Sequence, residues 1–172
     1  MDVVKRNIEK LRGKIDISSQ EAKGTAIILR IPLTLAIIDG ISLKVGKQLF
    51  ALPINDVIEF YKAKADQITK TDNKAEVLTL RNEILPVVKL FQVYNLKTEI
   101  TTVSDGIIIV AFADGKKAAL LADEIVGYQQ LVVKALPEYM GDMSAISGCS
   151  IMGNGDVNLI IDTNALVQQV LG

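Results

Sequence analysis

Beyond Leu33 the chain reads as short apolar runs: TLAII, QLFALPI, VIEFY, EVLTL, IIIVAFA, AALLA, LVVKAL and NLIID. Between them stand Asp39-Gly40, Asp105-Gly106, Asp114-Gly115 and Asn154-Gly155, pairs that tolerate positive φ and so favour tight turns. Runs of this length predict strands, and no long amphipathic helix interrupts them. Helical spacing is confined to VVKLFQVYN (87–95) and TNALVQQVL (163–171), each read as a short helix. Many short strands at close spacing predict barrels or a sandwich, not a parallel α/β sheet.

The first 33 residues are patterned differently. Asp2 is placed to cap a helix, Val4, Ile8 and Leu11 follow at helical spacing, and Gly13 supplies the stop. Then KIDIS alternates, QEAKG turns, and TAIILRIP makes a second strand. Helix plus hairpin is too small to bury a core alone. Without a supporting sheet, its strands expose Ile15, Ile17, Ile27 and Leu29.

The strand-rich part repeats itself. DGISLKVGKQLFALPINDVIEF (39–60) and DGIIIVAFADGKKAALLADEIVGY (105–128) both open on Asp-Gly, run through a strand and turn at Gly-Lys (46–47 and 115–116). Each second strand ends in acidic or amide residues and two β-branched ones: Asn55-Asp56-Val57-Ile58 and Asp123-Glu124-Ile125-Val126. EILPVVKLFQV (83–93) likewise matches VNLIIDTNALV (157–167). Two similar barrels follow from this duplication. It also disposes of a phosphate loop. That motif needs G-x-x-x-x-G-K-[S/T], but Val110 and Ile41 stand where the first glycine belongs, and Lys117 and Gln48 replace the hydroxyl.

Composition narrows the chemistry. Histidine is absent, which removes His metal sites, His-activated nucleophiles and a phosphoaccepting His within these residues. One Cys precludes a cysteine zinc cluster and an internal disulfide; with no signal peptide evident, a reducing, cytoplasmic setting is expected. Net charge is −1, +3 over residues 1–33 and −4 over the rest, which argues against nucleic acid. No apolar run approaches the ~20 residues of a bilayer span, so no membrane insertion is expected. Asp123, Glu124, Asp105 and Asp114 read as solvated strand ends and turns, Asp162 as a helix cap, and Cys149 as a small core residue.

Residues 1–37 resemble the end of the ATP-binding domain of the chemotaxis histidine kinase family, CheA, running into its regulatory domain. LLADEIVGYQQLVVKAL (120–136) and ISGCSIMGNGDVNLIIDTNAL (146–166) resemble that regulatory domain itself. The resemblance implies a mainly β fold: two intertwined SH3-like β-barrels, as in the coupling adaptor CheW, preceded by a helix-plus-hairpin remnant of a GHKL-type ATPase domain. The expected divisions are 1–33 and 34–172, with barrels near 34–98 and 99–172 and strands exchanged between them. Two departures stand out. Ala22 replaces a usual glycine, leaving Gly24 to carry the turn, and EYMGDMSA (138–145) lacks the family's basic and proline residues.

Function follows as an expectation of the same resemblance. ATP and Mg belong to the parent kinase, not to these residues, whose role is to bind. The partners implied are a CheW-type coupling adaptor, chemoreceptor cytoplasmic tips and the remainder of the kinase, at membrane-associated receptor arrays. A free-standing CheW-like adaptor and a chain retaining ATP binding and kinase activity are the rival readings. Candidate interface residues are Phe60, Tyr61, Tyr128, Leu131 and Val132, with Met140, Met143 and Ile146 on an adjoining loop. For the aromatics, core packing competes with an anchoring role. In GYQQLVVKAL, Tyr128, Gln130 and Val132 alternate with Gln129, Leu131 and Val133 across the two faces of a strand.

Overall fold

The computed structural model describes Val4 and residues 14–20, 24–30, 36–71, 75–136 and 143–171. The expected N-terminal helix, residues 21–23 of the turn, Tyr139 and Met140 lie outside the described residues. The chain divides into two compact units, Met1–Ala36 and Ile37–Gly172.

In the first unit, β1 (Lys14–Gln20) and β2 (Gly24–Arg30) form an antiparallel hairpin. Its register sets Ile15 opposite Leu29 and Ile17 opposite Ile27, so all four share one face. Gly24 takes a φ of +98° with nothing within 4 Å of a built Cβ. It supplies positive φ at this end of the turn without a steric reason of its own.

The second unit is built from short strands: β3 (Ala36–Val45), β4 (Gln48–Pro53), β5 (Val57–Tyr61), β6 (Ile68–Lys70), β7 (Glu76–Leu80) and β8 (Glu83–Lys89). After the one-turn helix α1 (Leu90–Val93) come β9 (Ile107–Ala113), β10 (Lys116–Ala122), β11 (Glu124–Val133), β12 (Ile146–Ile151), β13 (Val157–Ile161) and helix α2 (Thr163–Leu171). The strands make two sheets, ordered β11-β3-β4-β13-β12 and β5-β9-β10-β8-β7-β6. The first curls shut where Lys134 and Cys149 exchange two backbone hydrogen bonds of 2.8 and 2.9 Å. We call these the first and second barrels.

Each barrel borrows a strand. β3 and β4 belong to the first, yet β5, next in sequence, pairs with β9 in the second. β9 and β10 belong to the second, yet β11 joins β3 in the first. The two halves of the duplication therefore interlock, and neither barrel is a continuous segment.

The hairpin registers correct the alignment read from sequence. Val45 faces Gln48 across Gly46-Lys47, whereas Ala113 faces Lys116 across Asp114-Gly115. The second turn thus lies one residue earlier than the Gly-Lys pair, and Lys116 is in a strand. The stretch from β3 to β5 corresponds to that from β9 to β11 at one step (45 to 113, 48 to 116, hence 68). Asp114 and Gly115 both take positive φ, 49° and 77°, as a tight two-residue hairpin turn requires.

A second correction concerns residues 87–95. Only Leu90–Val93 are helical, because Val87, Val88 and Lys89 pair in parallel with Ala119, Leu120 and Leu121 of β10. Ladder hydrogen bonds outweigh the weak helical spacing there. The helix read at 163–171 is present with those bounds.

Alternation sorts the apolar residues into separate cores. Leu43, Phe50, Leu52, Leu159 and Ile161 of the first barrel meet Ile109, Ala118 and Leu120 of the second in the largest cluster. Leu78, Leu80, Leu85, Ile108, Val110 and Leu121 fill the second barrel. Each such side chain removed from water contributes roughly 1.5–3 kcal/mol, so the inter-barrel core welds the two barrels into one body.

Candidate partner-binding surface

Each exchanged strand carries two exposed large apolar residues; others, among them Ile84, Phe112 and Ile151, stand on β8, β9 and β12. On β5 the odd positions Val57, Glu59 and Tyr61 are half-buried while Ile58 and Phe60 are exposed, 48% and 42%. On β11, Ile125, Gly127 and Gln129 are half-buried while Val126 and Tyr128 are exposed, 50% and 60%. Stepping 68 positions takes Ile58 to Val126 and Phe60 to Tyr128. Each barrel therefore offers the same pair, a β-branched residue and an aromatic one, at the same place on its borrowed strand. Sequence reasoning named the two aromatics and missed Ile58 and Val126. The signal was present, since both stand in the duplicated ending already compared.

Local partners tune these anchors. The Tyr128 hydroxyl donates to the Asp39 carboxylate, which raises its pKa above the ordinary phenol value. Tyr61, by contrast, is half-buried and packs against the second-barrel core. Its hydroxyl donates to Gln67 Oε1 at 2.9 Å, joining β5 to the short 3₁₀ turn Ala65–Gln67.

Leu131 must be reassigned. It is 2% exposed, and its Cδ1 lies against Gly40, where an added Cβ would sit only 2.7 Å away. The alternation along β11 is as expected, but it turns Leu131 inward, so this residue is not part of an exposed surface. Val132 is half-buried. Ile146 and Met143 are half-buried and pack on the inter-barrel core; Met140 lies outside the described residues. Tyr94 stacks on Phe50 with centroids 4.8 Å apart, and burial, with Asp162 nearby, pushes its pKa up.

Beside the Ile58–Phe60 pair a cleft of about 190 Å³ is lined by Ile58, Leu80, Leu85 and Val110. Its rim carries two ion pairs, Arg81–Glu59 at 3.0 Å and Lys117–Glu83 at 2.6 Å. Apolar floor and charged rim are the anatomy of a protein interface. Arg81, Lys117 and Glu83 are exposed, so these pairs contribute little stability.

The carboxylates divide by role. Asp123 is not a solvated strand end: its Oδ2 accepts from the Gly46 backbone N–H at 2.7 Å and from the Thr98 hydroxyl at 2.5 Å. Glu124 pairs with Lys44 on the surface at 3.3 Å. Asp114 accepts from Gln168 at 3.2 Å. Asp162 caps α2, accepting from the Ala165 N–H at 3.0 Å. Cys149 is 2% exposed and sits in the inter-barrel core. Among the described residues no group of three His, Cys, Asp or Glu is placed to hold a metal ion, and no helix is long and apolar enough to cross a membrane.

Residues 39–171 match the family model of the CheW-like domain. The chain is 40% identical over 166 residues to the chemotaxis protein CheA of Klebsiella aerogenes, covering 96% of this chain and 26% of that protein. It is 36% identical over 170 residues to CheA of Treponema pallidum, covering 98% and 21%. It is 35% identical over 167 residues to the sensor histidine kinase CheAY of Helicobacter pylori, covering 97% and 21%. The chain thus spans about a quarter or less of the curated relatives it matches. In fold it is similar to the crystal structure of the scaffolding protein TtCheW from Thermoanaerobacter tengcongensis, with TM-score 0.67 and 22% identity, covering 77% of this chain and 94% of that one.

Proposed function

The chain belongs to the CheW-like domain family, and from that membership we propose that it is the regulatory docking module of a chemotaxis histidine kinase. It binds a CheW-type coupling adaptor and chemoreceptor cytoplasmic tips, and so controls autophosphorylation by the remainder of the kinase, which supplies ATP and Mg. The setting is the cytoplasmic side of membrane-associated receptor arrays. The module contributes binding, not catalysis.

One observation carries this reading: the equivalent exposed pairs Ile58/Phe60 and Val126/Tyr128 on the exchanged strands. Aromatic anchors of this kind carry most of the energy of an interface when a polar rim excludes water around them. Two copies of one anchor, one per barrel, suit a module that links two neighbours. A free-standing adaptor is the weaker reading. Similarity to CheA covers 96–98% of the chain, whereas the CheW-like match begins only at residue 39.

Titration against a CheW-type adaptor, with ATP·Mg as a parallel ligand, tests the proposal. Saturable adaptor binding, weakened at least ~10-fold (~1.4 kcal/mol) by Phe60→Ala or Tyr128→Ala, is expected. Nucleotide binding without adaptor binding would overturn it.

A further inference from the structure

The interiors of the two barrels differ where the duplication should make them alike. In the first barrel, Ser42, Asn158 and Ser150 are 0%, 0% and 4% exposed. They lie on the sheet face opposite the inter-barrel core, together with Ala51, Leu131, Val133 and Ile160. Ser42 faces Ala51 across β3–β4, and Asn158 faces Ser150 across β12–β13.

Strand registers give their counterparts. The 68-residue step takes Ser42 to Val110 and Ala51 to Ala119. Ile160 lies beside Ala51 as Val87 lies beside Ala119, so Asn158 corresponds to Leu85. Leu85 faces Leu78, so Ser150 corresponds to Leu78. Val110, Leu85 and Leu78 all belong to the apolar core of the second barrel. Three polar residues thus replace three apolar ones at matched sites.

The polar interior is incompletely satisfied. Asn158 Nδ2 donates to Ser42 Oγ at 2.7 Å, and Gln129 Nε2 of β11 donates to the same oxygen. Asn158 Oδ1 is buried without a hydrogen-bond partner. A buried polar group costs free energy unless fully paired, and an apolar replacement of the whole set recovers it. The seam beyond β11 is a single bridge, Lys134–Cys149, and β12 changes register between Ile146 and Gly148, so little besides this interior holds the two strands together.

We propose that the first barrel is a built-in compliant unit: it opens locally along the β11–β12 seam, while the wholly apolar interior holds the second barrel together. Of two equivalent anchors, Val126/Tyr128 then rides on a yielding strand and Ile58/Phe60 on a stiff one. The inference stands on the barrel interiors and is independent of which partner binds.

Native-state amide exchange, resolved by residue, tests it on the unaltered chain. Amides of β11 and β12, Leu131, Val133 and Cys149 among them, are expected to exchange at least ten-fold faster than those of β5 and β7, their counterparts in the second barrel. Equal or reversed protection overturns the proposal. Two folded variants assign the cause. Ser42→Val with Asn158→Leu copies the second barrel, and Ser42→Ala with Asn158→Leu does so with less bulk. Either is expected to slow exchange in β11 and β12 at least ten-fold relative to β5 and β7; an undiminished gap in a variant that folds would also overturn it.

Discussion

Gly46 has no room for a side chain. An added Cβ would lie 2.2 Å from the Lys97 carbonyl oxygen, and its φ is +60°. Gly115, in the equivalent turn of the other half, has φ +77° but open space around it. Gly115→Ala should therefore cost only the backbone penalty, about 1 kcal/mol, whereas Gly46→Ala should cost at least ~2 kcal/mol; denaturant midpoints compare them. Asp123 pins the same turn through Gly46 N–H and Thr98 Oγ1. Removing it in Asp123→Ala strands a backbone donor, at a cost of roughly 1–3 kcal/mol. Cys149 behaves as a protonated core thiol, since burial raises its pKa, partly opposed by Lys134. The folded state keeps a proton that the unfolded thiol releases. That contribution is full below the ordinary thiol value, ~8.5, and is lost as pH rises through the folded value. Melting temperature should therefore fall more steeply with alkaline pH in the unaltered chain than in Cys149→Ala.

Among elements, α2 depends on a cap that the sequence announces. Asp162 precedes the first helical residue and its Oδ1 accepts from the third, Ala165. Asp162→Ala should destabilise by ~1 kcal/mol, visible as a lowered melting temperature. Elsewhere an element's identity rests on what lies beside it. VVK at 87–89 has apolar spacing compatible with a helix, but a parallel neighbour, β10, pairs with all three residues. The hairpin β1–β2 was legible from alternation alone, and its register places Ile15, Ile17, Ile27 and Leu29 on one face as the pattern required.

At the scale of the molecule, the exchange of β5 and β11 determines which residues face outward. Phe60 and Tyr128 are presented because each crosses from its own hairpin to the other barrel. Leu131, three residues further along β11, is buried against Gly40. Leu131→Asp should therefore abolish cooperative unfolding by burying an unpaired charge, whereas Tyr128→Ala should leave the melting temperature within ~2–4 °C. Circular dichroism melts separate the two. Any interface test at Leu131 reports on folding, not on docking.

Local information was enough for most strands and turns, the final helix, the buried cysteine and the duplication, because these depend on alternation, on φ-permissive residues and on contacts a few positions away. Alternation also specified which residues of β11 share a face. It could not say which face is inside, since that is set by the strand β11 joins, β3, which lies some 90 residues earlier in the chain (Ser42 to Gln129 spans 87). The same holds for Asp123, whose partners Gly46 and Thr98 are remote in sequence, and for the polar interior of the first barrel. Those features arise only when the two halves interlock: strand exchange decides the neighbours, and the neighbours decide whether a side chain is anchor, core or pin.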